Sequence, residues 1–333
     1  MADATHHKAV IGNSDNFWRH STRDGFDLTH PAEPSAYLPR SLHIRTSTSP
    51  IAVDPAKTAL IIIDMQNFFL SEAFGRKRGA GHAACDALLK HAIPGARSAE
   101  VQIIWLNWGL TDEDVSSMPP AVKRAFGFEA VVDAGTSPIT GEEHFTERPN
   151  GLGVDKHGNV RHLGGDKLLE IGKDGRIYKG LGSQCGPVVL PSGEKIDAGR
   201  LLMRDSWNAS LYPPLDQAFE EGRKAKRPDA WLHKNRMSGM WGATTPCQEF
   251  LEREGIRTLL FTGVNTDQCV SGTFTDSFSK GYDCILLSDG CGTTSPEYAT
   301  QCIEFNAAKT WGFVATCEDF ANGAKEIATR HPT

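Results

Sequence analysis

The chain has 333 residues, 39% of them hydrophobic and 23% charged, with a formal net charge of −6. Such a composition suits a globular protein large enough for a full core, in one large domain or two ordinary ones. It gives no support to nucleic-acid or membrane-surface partners, because Lys and Arg are scattered, and no apolar run is long enough to span a bilayer.

In chain order, the first segment, "MADATHHKAV", lacks the apolar core of a signal peptide. Residues 1–55 are polar with scattered prolines and read as an N-terminal arm lying on the core. Ala59-Leu60-Ile61-Ile62-Ile63 is then a continuous apolar run closed by Asp64, and Val101-Gln102-Ile103-Ile104-Trp105-Leu106 is a second, followed by Asn107 and Trp108. His82, between them, reads as a surface histidine. Residues 127–203 are glycine-rich, with turn signals at Lys156-His157-Gly158-Asn159, Lys173-Asp174-Gly175 and Pro191-Ser192-Gly193, and read as a β-rich insertion. So long a connection suits a lid or an assembly element. Ala230-Trp231-Leu232 is a weaker strand leading to Lys234.

Thr245-Pro246-Cys247-Gln248 has the form of a capping box with proline at the first helical position, and that helix stops near Gly255. Thr258 to Thr262 is a third strong strand, followed by "GVNTDQCVSG". Val270, Phe274 and Phe278 give a helix ending at Lys280-Gly281. Cys284-Ile285-Leu286-Leu287, a helix from Ser295-Pro296 through Cys302 to before Gly312, and Phe313-Val314-Ala315 complete the pattern. Strands apolar on consecutive residues are buried on both faces, and their alternation with helices implies right-handed βαβ units. The expected fold is a doubly wound, mainly parallel, open α/β sheet in three layers: one domain over 56–325, carrying the insertion.

In such sheets ligands sit beyond the carboxyl ends of the strands. Asp64, Lys234 and Cys269 all stand at such ends. Taken singly, each has an ordinary reading: a cap, a surface lysine, a small core residue. Together they suit acyl transfer. A thiol with a pKa of about 8.5 needs a helix N-terminus or an ammonium to become thiolate. A carboxylate can take its proton and return it to a leaving amine. Of the other cysteines, Cys85, Cys247, Cys284 and Cys302 fall in helix or strand patterns and read as core, and nothing gives Cys185, Cys291 or Cys317 a task. Eight cysteines without a CxxC spacing are too few for a disulfide scaffold, and with no export signal they read as free thiols in the cytoplasm. Gly180-Leu181-Gly182-Ser183 follows no strong strand and opens no helix, so it is no dinucleotide fingerprint.

The stretches "ALIIIDMQNFF" and "HKNRMSGMWGATTPCQEFLEREGIRTLLFTGVNTDQCVSGTFTDSFSKGYDCILLSDGC" resemble the isochorismatase-like cysteine hydrolases, over roughly residues 55–110 and 200–318. The resemblance implies a catalytic triad of Asp64, Lys234 and Cys269, a cis peptide between Val264 and Asn265, and an oxyanion hole from the backbone N–H groups of Asn265 and Cys269. Nicotinamidases of this family hold a metal through an aspartate and histidines after the second strand. Here that stretch reads "NWGLTDEDV", without histidine, so no metal or other cofactor is expected and Asp112, Glu113 and Asp114 read as a solvated acidic turn. Asn107, Trp108, Trp207 and Trp241 are the candidate substrate contacts, suggesting an aromatic or planar amide.

The implied activity is cysteine-dependent cleavage of a C–N bond in a small amide, ureide or lactam through a thioester, by a homodimer or homotetramer. One alternative is an isochorismatase-type vinyl ether hydrolase, which can work without the cysteine, so the presence of Cys269 argues against it. Another is a non-catalytic effector on the same fold, against which the intact triad speaks.

Overall fold

Runs of consecutive apolar residues become strands with no solvent-facing side, and the central sheet is built from them. The computed structural model describes residues 6–32, 40–136, 143–159 and 179–330. In chain order its strands are β1 (Lys8–Gly12), β2 (Phe17–Ser21), β3 (Gly25–Leu28), β4 (Leu42–Ile44), β5 (Ile51–Val53), β6 (Thr58–Ile63), β7 (Gln102–Trp108), β8 (Phe128–Thr136) and β9 (Glu143–Val154). They continue with β10 (Pro187–Val189), β11 (Lys195–Asp197), β12 (Ala230–Lys234), β13 (Thr258–Val264), β14 (Asp283–Gly292) and β15 (Phe313–Ala315). The chain divides into two compact units, the first made of Met1–Met65, Arg78–Asn107 and Leu211–Thr333, the second of Gln66–Lys77 and Trp108–Ser210.

The central sheet has the order β12-β7-β6-β13-β14-β15, and β7 to β15 pair in parallel. Every residue of β6, β7 and β13 is buried. Helices fill the crossovers: Ala80–Ala87 and Ile93–Ala99 between β6 and β7, Pro246–Arg253 before β13, Ser271–Ser279 before β14 and Glu297–Asn306 before β15. The chain is therefore an open, doubly wound α/β sheet. Strand order reverses between β6, which continues to β7 on one side, and β13, which lies on its other side. In open α/β sheets ligands sit at such a reversal, here the carboxyl ends of β6 and β13.

Local signals mostly hold. Thr245 caps the helix Pro246–Arg253 by accepting the Gln248 N–H at 3.2 Å. The reciprocal half of the expected capping box is not made, because the Gln248 side chain donates to Glu252 and accepts from Lys280 instead. In the helix Ser271–Ser279, Phe274 is buried whereas Phe278 faces outward.

Residues 8–53 hold more regular structure than an arm: a five-stranded sheet of order β1-β2-β3-β5-β4. Only β3 and β5 pair in parallel in it. Its buried apolar side chains are few: Phe17, Leu28, Leu42, Ile44 and the short run Ile51-Ala52-Val53. An aromatic group of Trp18, Phe26 and Phe313 joins this sheet to β15, with ring centroids 5.5 to 6.2 Å apart. Beneath it, the buried Asp283 carboxylate at the start of β14 accepts from Trp18 Nε1 (2.8 Å) and Thr258 Oγ1 (2.8 Å) and lies 2.6 Å from His30 Nε2.

The second unit is β-rich. β8 and β9 pair antiparallel, and β10 and β11 form a hairpin. The hairpin turns at the expected Pro191-Ser192-Gly193, where Gly193 takes φ +87° and its N–H donates to Leu190 O at 2.8 Å. At the expected 156–159 turn, the Asp155 carboxylate accepts the backbone N–H groups of His157 and Asn159. The turn expected at Lys173-Asp174-Gly175 lies outside the described residues.

Replacing Asp283 by Ala strands the donors of Trp18 and Thr258 in a buried place. The expected loss of stability is about 2–5 kcal/mol, read as a fall in urea midpoint. A change below about 1 kcal/mol would show that the carboxylate is not a clamp.

Candidate active site

The site begins where β6 runs out of apolar residues. Asp64 is fully buried, its N–H donates to Leu106 O at 3.1 Å, and its φ of +53° turns the chain out of the strand. Aspartate tolerates this left-handed region better than a branched residue would. Two strands away, β12 ends in Lys234. Just before its other end, the Asp229 carboxylate accepts from Trp105 Nε1 of β7 at 2.9 Å and lies 3.5 Å from the Arg97 guanidinium. Burial pushes that carboxyl up from its ordinary range.

β13 supplies the third group. At Gly263, φ is +113° and a Cβ would fall 2.0 Å from Ile63 O, so only glycine lets β13 approach β6 here. The Val264–Asn265 peptide that follows is cis, where the family resemblance put it. Asn265 O accepts the N–H groups of Gln268 and Val270, closing a tight turn, Thr266–Val270, that runs into the helix Ser271–Ser279. Cys269 sits in this turn, 6% exposed. Its carbonyl accepts from Thr273 Oγ1 at 2.7 Å, and that hydroxyl accepts the Gly239 N–H at 3.1 Å. Asp267 bolts the turn to the segment after β14 by accepting from Thr293 Oγ1 (2.6 Å) and Ser295 Oγ (2.7 Å).

These three elements converge on one ammonium. Lys234 Nζ lies 2.9 Å from Asp64 Oδ2 and 3.5 Å from Cys269 Sγ, and donates to Arg236 O at 3.0 Å. The lysine and aspartate side chains are 1% and 0% exposed. A buried carboxylate and a thiol that both contact one buried ammonium can hold and move a proton beside a nucleophile.

Asn107, next along β7 from the Leu106 carbonyl that receives Asp64, is fully buried, and among the described residues neither polar atom of its side chain has a hydrogen-bond partner. Trp241 is 52% exposed and lies under the Arg236 guanidinium, whose carbon is 4.7 Å from the ring centre. Trp108 and Trp207 belong to the second unit. There Trp108 is walled in against Phe126 at 5.2 Å, and Trp207, half-buried, stacks on Phe74 at 5.7 Å. Asp112, Glu113 and Asp114 form the first turn of a short helix, Asp112–Ser117, capped by Thr111. Among the described residues, no three His, Cys, Asp or Glu side chains are grouped to hold a metal ion.

Two expectations need correction. His82 is not on the surface: it is 4% exposed, because its Nδ1 accepts the Gly79 N–H at 3.1 Å and its ring packs edge-on to Tyr212. Cys302 is not core but exposed, since the helix Glu297–Asn306 buries none of its residues. Sequence reasoning also passed over Asp267 and Arg236. Their only signal was position, two residues before the thiol and two after the lysine.

Residues 193–319 match the Isochorismatase domain model, a span that includes Lys234 and Cys269 but not Asp64. The ureidoacrylate amidohydrolase RutB of Caulobacter segnis is 25% identical over 307 residues, covering 91% of this chain and 100% of the relative. RutB of an Enterobacter species is 26% identical over 276 residues, covering 82% and 91%. A solved cysteine hydrolase from Pseudomonas syringae pv. phaseolicola shares the fold, with a TM-score of 0.52 at 14% identity, covering 87% of this chain and 100% of that one. Domain, relatives and fold all point to the isochorismatase-like cysteine hydrolases.

Proposed function

We propose that the protein is an amidohydrolase that cleaves a C–N bond, other than a peptide bond, in a small amide, ureide or lactam through a thioester on Cys269. The observation that carries this reading is the single ammonium of Lys234 in contact with both the Asp64 carboxylate and the Cys269 sulfur. The relatives' activity, that of a ureidoacrylate amidohydrolase by name, supports the reaction class.

In this reading Asp64 takes the thiol proton and Lys234 stabilises the resulting thiolate. Sγ attacks the substrate carbonyl carbon, a C–S bond forms, and the oxygen becomes an oxyanion that the backbone N–H groups of Asn265 and Cys269 receive. The intermediate collapses with cleavage of the C–N bond, and Asp64 returns the proton to the departing nitrogen. Water, giving a proton to Asp64, then attacks the thioester, and the sulfur leaves with that proton as thiol. Lys234 remains an ammonium throughout. Asn107 is the natural partner for the amide to be cleaved, because a buried amide with unmade hydrogen bonds gains what each unsatisfied group costs, about 1–3 kcal/mol, when a ligand completes it. A small amide-type molecule is thus the required partner. Assembly as a homodimer or homotetramer is expected from the family, and eight free cysteines suit a reducing cytoplasm.

Cys269→Ala should abolish turnover of an amide panel while preserving the circular dichroism of the fold. Asp64→Asn and Lys234→Ala should each lower kcat by at least about 100-fold. Ammonia release from the Cys269→Ala variant at near-parental rate would sink the thioester.

Thiol reactivity offers a check that needs no substrate. Burial pushes Cys85 and Cys247 up to about 12, so at pH 8 both remain protonated and slow toward iodoacetamide. Cys269 should alkylate well ahead of them in a peptide map, with exposed Cys302 as internal standard. In Lys234→Ala the Cys269 profile should move to higher pH; an unmoved profile would mean that the ammonium does not serve the sulfur.

Asn107→Ala should raise KM about 10-fold or more with kcat changed less. Unaltered KM across the panel would remove Asn107 from the substrate contacts.

A further inference from the structure

The turn that carries the thiol is gripped by a carboxylate that the hydrolytic steps leave unused. Within the turn Thr266–Val270, Asn265 O accepts the Gln268 N–H at 3.0 Å and the Val270 N–H at 3.2 Å. A closure that reaches five residues along the chain is uncommon and occurs as single turns. Its own residues do little to favour it, since Thr266 is β-branched and Asp267 is of the type that prefers caps to helical interiors. Asp267 stands at the midpoint, two residues from Asn265 and two from Cys269. Its two oxygens are used separately: Oδ1 accepts from Thr293 Oγ1 at 2.6 Å and Oδ2 from Ser295 Oγ at 2.7 Å. Hydroxyl-to-carboxylate bonds of this length are the strong, charge-assisted kind. Thr293 Oγ1 also accepts the Ser295 N–H at 3.1 Å, which sets the two hydroxyls relative to each other.

The far side of this link is firm. Val264, the last residue of β13, pairs in register with Gly292, the last residue of β14, and Thr293 follows at once. A Cβ on Gly292 would fall 2.5 Å from Ala80 C and Gly81 N, so this end of β14 lies against the start of the helix Ala80–Ala87. His82 fastens that start by accepting the Gly79 N–H. The turn is thereby held along a short closed path, through the paired backbones at Val264 and Gly292 and through the side chains of Asp267, Thr293 and Ser295. The Cys269 side of the turn has separate supports, Thr273 Oγ1 on its carbonyl and the Lys234 ammonium beside its sulfur.

In the proposed reaction the oxyanion is received by the N–H groups of Asn265 and Cys269, which flank Asp267. Two donors serve one oxygen only at a fixed separation, and a misplacement of about 1 Å can cost about 100-fold in rate. We propose that Asp267 is a positioning residue for this pair of donors: gripped by Thr293 and Ser295, it fixes the turn so that both N–H groups converge on one oxygen. The inference rests on the amidohydrolase reading and adds to it residues that act through the backbone of the turn. Because the sulfur has its own supports, loss of the link disturbs the donors more than the nucleophile.

Asp267→Ala should lower kcat on the amide panel about 10- to 100-fold, with KM changed by less than about threefold. Alkylation of Cys269 by iodoacetamide needs the sulfur but no oxyanion donor, and it should fall by less than about threefold. Thr293→Val combined with Ser295→Ala should reproduce both results, and adding that pair to Asp267→Ala should cost less than about threefold more. Asp267→Asn should recover most of the loss, because an amide can accept from one hydroxyl and donate to the other. A second readout needs no turnover. Acetaldehyde adds to Sγ to give a hemithioacetal: the C–S bond forms, the carbonyl π pair moves to oxygen, and the thiol proton passes to that oxygen, which stands where the donors converge. Its protection of Cys269 from iodoacetamide should weaken about 10-fold in Asp267→Ala. Unchanged turnover in Asp267→Ala would overturn the proposal, as would an Asp267→Asn as poor as Asp267→Ala. Alkylation falling in step with turnover would overturn it too, since the sulfur itself would then have moved. Failure of the broader reading shows in the parent instead, as a Cys269 that neither alkylates preferentially nor supports turnover of any amide.

Discussion

An ammonium buried out of water needs compensation, and in this molecule Lys234 is compensated by Asp64 at 2.9 Å. Isolated charges are costly to bury, by several kcal/mol, and pairing is tolerated only where geometry is good and further hydrogen bonds complete the shell. Arg236 O supplies one of these, and the Cys269 sulfur lies 3.5 Å from the ammonium. The residues therefore constrain one another. A strand end that supplies the acid, a strand end that supplies the cation and a turn that supplies the thiol must arrive within hydrogen-bond reach, or a charge is left stranded. The order of the sheet makes this possible, because β6 and β13 are neighbours and Gly263 brings their backbones together where a Cβ would collide.

Around that contact the supports are polar and mostly outside the chemistry. Asp229 ties the approach to β12 to Trp105, Asp267 ties the turn of Cys269 to Thr293 and Ser295, and Thr273 links the same turn to Gly239. Each is a carboxylate or hydroxyl with at least two partners, the condition under which a polar group in or near a protein interior rigidifies rather than weakens it. Placement to within a fraction of an ångström is what the proposed acyl transfer demands.

The sequence made the central sheet legible because its strands are buried on both faces: Leu60 to Ile63 and Leu259 to Phe261 leave no other reading. Asp64, Lys234 and Cys269 were legible as positions at strand ends. Their mutual contact was not, since spacing along the chain says nothing of which strands are neighbours. The N-terminal sheet escaped because its apolar runs are short, Ala9-Val10-Ile11 and Ile51-Ala52-Val53, with single residues such as Leu28 and Ile44 elsewhere, and their pairing is set by β5 and by contacts with Phe313 and Asp283 far along the chain. His82 and Cys302 misled for opposite reasons. A polar ring was buried by capping its own helix, and a thiol in an apolar helical pattern faced water because that helix buries no residue. Arg236 carried no signal of its own.

The carboxylate of Asp283 serves donors from three separate stretches of chain, Trp18, His30 and Thr258, while standing at the first residue of the strand beside β13. Lifting the N-terminal sheet would strip two of those donors from it and bare the aromatic packing on Phe313 at the same moment. Local opening of β1 to β3 thus carries a penalty closer to that of global unfolding than to the fraying of a terminus. Amide protons of β2 and β3 should then exchange on the timescale of the central strands.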